Sequence, residues 1–232
     1  MTDSPEIEPI DGAPSDYTGR VVPDGAVHVR ELRDLTIRKF AVSEMSNNVY
    51  LLTDRATGRQ LLIDAADDAP RILEVAGAGG LETVVTTHRH WDHVRALEAV
   101  VAATGARTVA GSADADDLPA PVDVRVGQGD VVRVGDSSLD VIHLRGHTPG
   151  SIALAYEDPA GSTHLFTGDS LFPGGVGNTS NPGQSFASLI ADVTTRVFDR
   201  YDDDTWFYPG HGDDSTLGAE RPHLDEWRAR GW

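Results

Sequence analysis

The sequence predicts one mixed α/β domain, with helices on the outside of mixed β-sheets. Short apolar strands, many of them joined by hairpin turns, interleave with amphipathic helical stretches. The length of 232 residues favours a single large domain, and a hydrophobic fraction of 39% is sufficient to form its core. A charged fraction of 24% is average and excludes a wholly disordered chain.

The N-terminal half alternates predicted strands with two predicted helices. Residues 1–24 are acidic and rich in Pro, Asp and Ser, which predicts a flexible arm before a single domain at 25–232. The segment RATGR at 55–59 predicts a hairpin turn, and Gly105 marks the end of the second helix. The predicted strands are 35–42, 49–53, 60–63, 82–86 and 107–110, and the predicted helices are 69–78 and 92–104.

The C-terminal half contains most of the predicted hairpins. Turn segments such as EDPAG separate its short apolar runs. The predicted elements are short strands within 122–144, a hairpin of strands 151–156 and 163–167, a helix at 184–200, a strand at 206–211 that runs into a loop, and a helix or coil at 218–230. Because hairpins and helices both recur, we expect mixed sheets and not a purely parallel one.

The chain is strongly acidic, since 37 Asp and Glu outnumber 19 Lys and Arg and give a net charge of −18. This charge disfavours binding to nucleic acid or to an anionic membrane, and we expect a small-molecule substrate. The chain has no cysteine, which excludes a disulfide framework, a thiol nucleophile and a Cys-ligated zinc. No secretory signal pattern and no apolar run of about 18 residues is found, so we expect a cytoplasmic protein.

The segment THRHWDH at 87–93 has the composition of a metal site. It places His88, His90, Asp92 and His93 within six residues, between an apolar strand and a predicted helix. Imidazole nitrogens and carboxylate oxygens are ligands that zinc, iron and manganese accept. A polar loop before a helix would explain one such residue, but four at this spacing favour a metal.

Three further candidate ligands each follow a predicted strand and lie beside glycine. His147 lies in GHTPG, Asp169 in TGDS and His211 in PGHG. Glycine lets backbones approach closely, and loops at one edge of a sheet can bring distant side chains together. We therefore expect these residues to join the 87–93 segment in one catalytic centre with open coordination positions.

With HRHWDH, GHTPG, TGD and PGHG in this order, the chain resembles the metallo-β-lactamase superfamily of metallohydrolases over about residues 35–225. The resemblance implies a four-layer αβ/βα sandwich with two divalent metal ions, zinc foremost and iron or manganese as alternatives. The implied ligands are His88, His90 and His147 for one metal, Asp92, His93 and His211 for the second, and Asp169 as the bridge between them.

The resemblance also implies a reaction. Two divalent cations and two carboxylates leave a net charge of +2, so a bridging water would lose a proton near neutral pH, because metals lower its pKa toward about 7. The resulting hydroxide is the expected nucleophile on a thioester or ester carbonyl. Asp92 is the expected catalytic residue, which orients the hydroxide and passes a proton to the leaving group.

Asp169 and the sequence that follows it resemble the glyoxalase II branch of the superfamily. SLFPGGVGNT after Asp169 and the T-x-G-x-E-R pattern after PGHG are similar to short glyoxalase II-like hydrolases. Two departures leave the thiol carrier open. Asn178 stands where glyoxalase II usually has Arg, and only about 20 residues follow His211, where the full-length family has a basic glutathione-binding domain.

Other functions remain alternatives. Persulfide dioxygenases share the fold and use a single iron, which here would lie on His88, His147 and Asp169; the sequence NTS at 178–180, in place of Arg-Thr-Asp, weighs against them. Lactonases and other hydrolases of the fold are a further alternative. A non-enzymatic protein on a decayed hydrolase scaffold is disfavoured because the ligand set is complete.

Charged residues and histidines outside these motifs are expected to have no catalytic role. Lys39 is the only lysine and is interpreted as a compositional bias. Asp213 and Asp214 are predicted to be solvated. Because they follow His211 closely, their negative charge would discourage anionic substrates. The remaining histidines, expected to be core or surface residues, are His28, His143, His164 and His223.

Overall fold

Two β-sheets lie face to face in the computed structural model, which describes residues 17–231. The first sheet has seven strands in sequential order: β1 (His28–Glu31), β2 (Leu35–Val42), β3 (Asn47–Asp54), β4 (Gln60–Ile63), β5 (Thr83–Thr86), β6 (Arg107–Gly111) and β7 (Val124–Val126). Strands β1 to β4 are antiparallel neighbours, and β4 to β7 are parallel.

The second sheet has six strands in the order β15-β14-β11-β10-β9-β8. Its strands are β8 (Val131–Val134), β9 (Ser137–His143), β10 (Ile152–Glu157), β11 (Thr163–Gly168), β14 (Trp206–Pro209) and β15 (Ser215–Thr216). Strands β12 (Leu171–Phe172) and β13 (Gly175–Val176) form a separate small hairpin. Only β11 and β14 pair in parallel in this sheet.

Helices cover the outer face of each sheet. Parallel neighbours need crossover connections, and α1 (Ala69–Ala76) and α2 (Leu97–Thr104) supply them between β4, β5 and β6. Helix α3 (Phe186–Val193) lies between β11 and β14 in the chain, and α4 (Leu217–Glu220) and α5 (Leu224–Arg230) follow β15. Among residues 17–231, none of the helices has both the length and the apolar character that crossing a membrane requires.

Three apolar cores separate four layers. The central core lies between the sheets and includes Ile37 and Phe166. A second core joins the first sheet to α1 and α2 through Ile72, and a third joins the second sheet to α3 and α5 through Leu189 and Trp227. Both faces of each sheet are therefore buried, which explains the nearly continuous apolar strands. The predicted mixed α/β four-layer sandwich is confirmed.

The predicted helix at 92–104 begins later than expected. Residues Trp91–His93 form a short 3-10 turn, and α2 starts at Leu97. The backbone N–H groups of Arg95 and Ala96 donate to the carbonyls of the loop after β4, at 65–66. Because these tertiary bonds replace intrahelical ones, the polar motif before α2 is not helical. The predicted helix at 184–200 likewise ends as an α-helix at Val193 and continues as a π-helical segment, Thr194–Phe198.

The N-terminal arm predicted at 1–24 lies partly outside the described residues, which begin at 17. Residues 17–24 are in contact with the domain. The Tyr17 hydroxyl donates to Asp214 Oδ2 at 2.7 Å, and its ring packs edge-on against Trp206. Pro23 pairs with Ala41 of β2 through an isolated bridge. This stretch is therefore an ordered cover on the edge of the two sheets.

Lys39 and Asp214 form a buried ion pair, with their side chains 0% exposed and Nζ 2.6 Å from Oδ1. Lys39 Nζ also donates to the carbonyls of Gly19 (2.7 Å) and Gly212 (2.8 Å), so all three of its protons are used. The surface prediction is therefore wrong for Asp214, and Lys39 has a structural role. Asp213 is half-exposed and pairs with Arg20.

We expect Lys39→Met to lower the free energy of unfolding by about 3–5 kcal/mol, because it leaves the buried Asp214 carboxylate without its cation. Urea unfolding measures the change. The matched control is Arg20→Met, which breaks the exposed pair with the neighbouring Asp213 and should cost less than about 1 kcal/mol. Equal losses for the two variants would contradict the structural role of Lys39.

Candidate metal centre

Loops from both sheets bring the seven predicted ligands to one edge of the sandwich. His88 and His90 follow β5, and Asp92 and His93 lie in the 3-10 turn before α2. The other three follow the ends of β9, β11 and β14, and they are His147, Asp169 and His211. Strands end side by side at this edge, so residues more than 100 positions apart in the chain become neighbours.

His88, His90 and His147 form the three-histidine group. His88 Nε2 lies 3.1 Å from His90 Nδ1, and the ring centroid of His147 lies 4.8 Å and 4.4 Å from those of His88 and His90. One ligand atom from each residue lies within 4.8 Å of the others, which is a spacing that could hold a metal ion. Burial lowers the pKa of all three imidazoles, so they favour the neutral form that ligates metal.

Asp92, His93 and His211 form the mixed group. His93 Nε2 and His211 Nε2 face each other at 3.2 Å, and Asp92 Oδ2 lies 3.2 Å from His211 Nε2 and 3.5 Å from His93 Nε2. Their ligand atoms also meet the spacing for a metal ion. Burial alone would raise the pKa of Asp92, but the hydrogen bond with His211 and the charge of His93 lower it, so the carboxylate is ionised.

Asp169 lies between the two groups. Its Oδ1 is 3.4 Å from His93 Nε2, and its Oδ2 is 3.6 Å from His211 Nε2 and 3.7 Å from His147 Nε2. Burial would raise its pKa, but the charges of the surrounding imidazoles, His93 first among them, lower it. One ionised carboxylate therefore faces both groups.

The outer nitrogens of three histidines have defined acceptors. Nδ1 of His93 lies 2.9 Å from Asp64 Oδ2, that of His147 lies 2.7 Å from a backbone carbonyl at 178, and that of His211 lies 2.9 Å from the carbonyl of Met45. A carboxylate or carbonyl accepts only from a protonated nitrogen. Each Nδ1 therefore carries a proton, so Nε2 is the nitrogen with which each of these histidines would bind a metal ion.

The sequence reasoning missed Asp64, which orients the centre from behind. Asp64 directly follows β4 and adopts a left-handed φ of 59°. Its carboxylate accepts from the backbone N–H (2.7 Å) and the hydroxyl (2.8 Å) of Thr87 as well as from His93. Asp64 groups with His88 and His93 in space, but it contacts the outer nitrogen of His93 and so does not face the centre. The sequence signal that could have identified Asp64 is its position directly after a predicted strand, like that of the other candidate ligands.

The donor set fits a metal. The Nε2 atoms of His93 and His211 lie 3.2 Å apart, and in the neutral form that binds metal their lone pairs would repel unless a cation lay between them. His147 Nε2 and Asp169 Oδ1 are buried and have no hydrogen-bond partner, which costs free energy unless another group binds them. Nitrogen and oxygen donors without thiolate suit zinc, iron or manganese. Gly210 makes room, because a Cβ there would overlap Asp169 Oδ1 and lie 2.7 Å from His93 Cε1.

Two of the remaining histidines have structural contacts. His164 is buried and contacts the hydroxyl of Tyr208 at 2.9 Å, and burial lowers its pKa to about 4. His143 Nε2 lies 2.8 Å from the carbonyl of Pro149 and braces the turn that carries His147. Trp91 is 62% exposed, and the guanidinium of Arg95 stacks 3.7 Å from the centre of its ring.

We expect Asp64→Asn to weaken zinc binding by about 10- to 100-fold, as losses of such orienting partners usually do. Its carboxamide would present an N–H where His93 or Thr87 now finds an acceptor. Competition with a chromophoric chelator measures the affinity. Asp67→Asn, which changes a more exposed carboxylate of the same loop, should bind zinc like the unaltered protein. Unchanged affinity in Asp64→Asn would rule out the orienting role.

Comparisons with known proteins identify the family of this chain. Residues 42–211 match the model of the Metallo-beta-lactamase superfamily. The hydroxyacylglutathione hydrolase of Fuscovulum blasticum is 42% identical over 146 residues, or 62% of this chain and 56% of that protein. The chain thus matches little more than half the length of this curated relative.

Two solved structures are similar over most of their length. ETHE1 from Myxococcus xanthus has a TM-score of 0.74 and 30% identity, with 83% of this chain and 84% of that one covered. TTHA1623, solved in a di-iron-bound form, has a TM-score of 0.66 and 30% identity, with 78% and 95% covered. The family model matches well over half of the residues of this chain. The chain therefore belongs to the metallo-beta-lactamase superfamily.

Proposed function

We propose that this protein is a dinuclear metallohydrolase that cleaves a thioester or an ester of a small molecule, in the manner of glyoxalase II. The observation that carries the proposal is the position of Asp169, whose two oxygens lie 3.4–4.0 Å from imidazole nitrogens of both groups. A carboxylate so placed is suited to bridge two cations. The similarity to the hydroxyacylglutathione hydrolase of Fuscovulum blasticum and to the di-iron form of TTHA1623 supports it.

The seven donors divide into two sets of three with one shared carboxylate. His88, His90 and His147 would hold one divalent ion, zinc or else iron or manganese. The mixed group would hold the second. Bound ions of this kind supply a hydroxide nucleophile near neutral pH and polarise the carbonyl that it attacks. Asp92, at the inner face of the mixed group, would orient the attacking oxygen by accepting its hydrogen bond.

The chemistry of the leaving group favours a thioester over an ester. A departing thiolate needs little help, because a free thiol has a pKa of about 8.5, whereas an alkoxide leaving group needs a proton. The net charge of −18 weighs against a nucleic-acid substrate.

A mononuclear-iron persulfide dioxygenase is the second candidate. Its single iron would lie on His88, His147 and Asp169, and Asp169 Oδ2 lies 4.0 Å and 3.7 Å from the Nε2 atoms of the two histidines. The likeness to ETHE1 lends this candidate some support. The two candidates differ at His90, which is a ligand of the hydrolase centre but not of the dioxygenase centre.

We expect two equivalents of metal and hydrolysis of thioesters in a panel of thioesters, esters and lactones. His90→Ala and Asp169→Ala should each lose metal and abolish hydrolysis, because each removes a ligand. His223→Ala changes an exposed histidine and is the matched control. Elemental analysis and initial rates measure both effects.

Three outcomes would contradict the proposal. Full thioesterase activity in His90→Ala or Asp169→Ala would show that the two-metal centre is not the catalyst. One equivalent of iron that survives His90→Ala, with oxygen uptake on a persulfide, would favour the dioxygenase. Less than one equivalent of metal after metal-supplemented expression would favour a non-enzymatic protein.

A further inference from the structure

The turn between β2 and β3 is strained and lies against the mixed group. Its residues are 43–46, here called the site turn. Ser43 has a φ of 65° and Ser46 a φ of 55°, in the left-handed region that favours glycine. Strained backbone persists where surrounding contacts over-determine it, and it often marks a functional position. The contacts of the site turn show which residues of the mixed group it positions.

The hydroxyl of Ser43 makes two hydrogen bonds that glycine could not make. Ser43 Oγ donates to Asn47 Oδ1 at 2.6 Å and accepts from the backbone N–H of Met45 at 3.1 Å. Because Oδ1 of Asn47 is fixed as an acceptor, its amide nitrogen must point the other way. That nitrogen donates to Asp92 Oδ2 at 2.9 Å. The side chain of Asn47 is fully buried, so water does not replace either bond.

The same turn fixes His211. The carbonyl of Met45 accepts from His211 Nδ1 at 2.9 Å, and Asn47 pairs with His211 through an isolated antiparallel bridge. Two members of the mixed group are thus held from the same place: His211 by the site turn and Asp92 by Asn47, which directly follows it. Their Oδ2 and Nε2 atoms lie 3.2 Å apart.

We propose that Ser43 and Asn47 are positioning residues that set the affinity of the mixed group for its metal. The relay runs from the Ser43 hydroxyl through the Asn47 amide to the Asp92 carboxylate, and the three-histidine group lies outside it. This inference rests on the proposed two-metal function. It accounts for serine at a position where glycine would relieve the strain.

The test compares Ser43→Gly and Asn47→Ala with the unaltered protein by zinc titration against a chelator. Each variant should weaken one of the two zinc equivalents by at least about tenfold and leave the other unchanged. Ser43→Gly keeps a backbone suited to φ 65°, so the Tm of its metal-free form should stay within about 4 °C of the unaltered protein. Glu44→Gln, an exposed change in the same turn, is the control and should change neither quantity.

A double variant assigns the weakened equivalent. Asp92→Ala removes the ligand at which the relay ends, so adding Ser43→Gly to it should cause no further loss of zinc affinity. A further loss would overturn the proposal, as would unchanged affinity for both equivalents in both single variants. A parallel fall of both equivalents and of the metal-free Tm would also overturn it, since that is the result of a general structural role.

The zinc titration distinguishes a failure of this inference from a failure of the proposed function. One zinc equivalent in the unaltered protein would remove the two-metal function and this inference together. Two equivalents, with both unaffected in Ser43→Gly and Asn47→Ala, would remove this inference alone and leave the two-metal function standing.

Discussion

The close approach of seven nitrogen and oxygen donors from separate loops is the constraint on which the arrangement around the centre depends. Imidazole nitrogens and carboxylate oxygens face one another at distances such as 3.2 Å between His93 Nε2 and His211 Nε2. Without firm support the loops that carry them would move apart. The outer hydrogen bonds of the histidines, the buried carboxylate of Asp64 and the strained site turn all oppose that movement.

Support for the loop of His211 comes from the first sheet. Lys39 and Asn48 donate to the carbonyl of Gly212, and Asn48 and Tyr50 donate to that of Pro209. These side chains come from β2 and β3 of the first sheet, whereas His211 follows the second. A ligand loop of one sheet is therefore fixed by polar groups of the other, and the ion pair of Lys39 links stability to the geometry of the site.

Local patterns were sufficient for most of the fold. Strand β2 was predicted with its observed bounds because an apolar run lies between turn residues. Strand β1 was missed because three of its four residues are half-buried and lack a clear alternation. The first turn of the predicted 92–104 helix was wrong because tertiary hydrogen bonds to the loop at 65–66 compete with helical ones. Asp214 was misjudged because burial is not a property of a local segment.

The sequence by itself determined which donors the centre contains. Four His and Asp residues in one segment after a strand, three more beside glycines at other strand ends, and the lack of cysteine indicated a nitrogen- and oxygen-ligated metal centre. The family resemblance implied how they divide and that Asp169 lies between them. Only the tertiary structure decided the distances between the groups and that Asp64 and the site turn stand behind them. The physical reason is that spacing along a chain constrains neighbours within a loop. Distances between loops depend on how the two sheets pack.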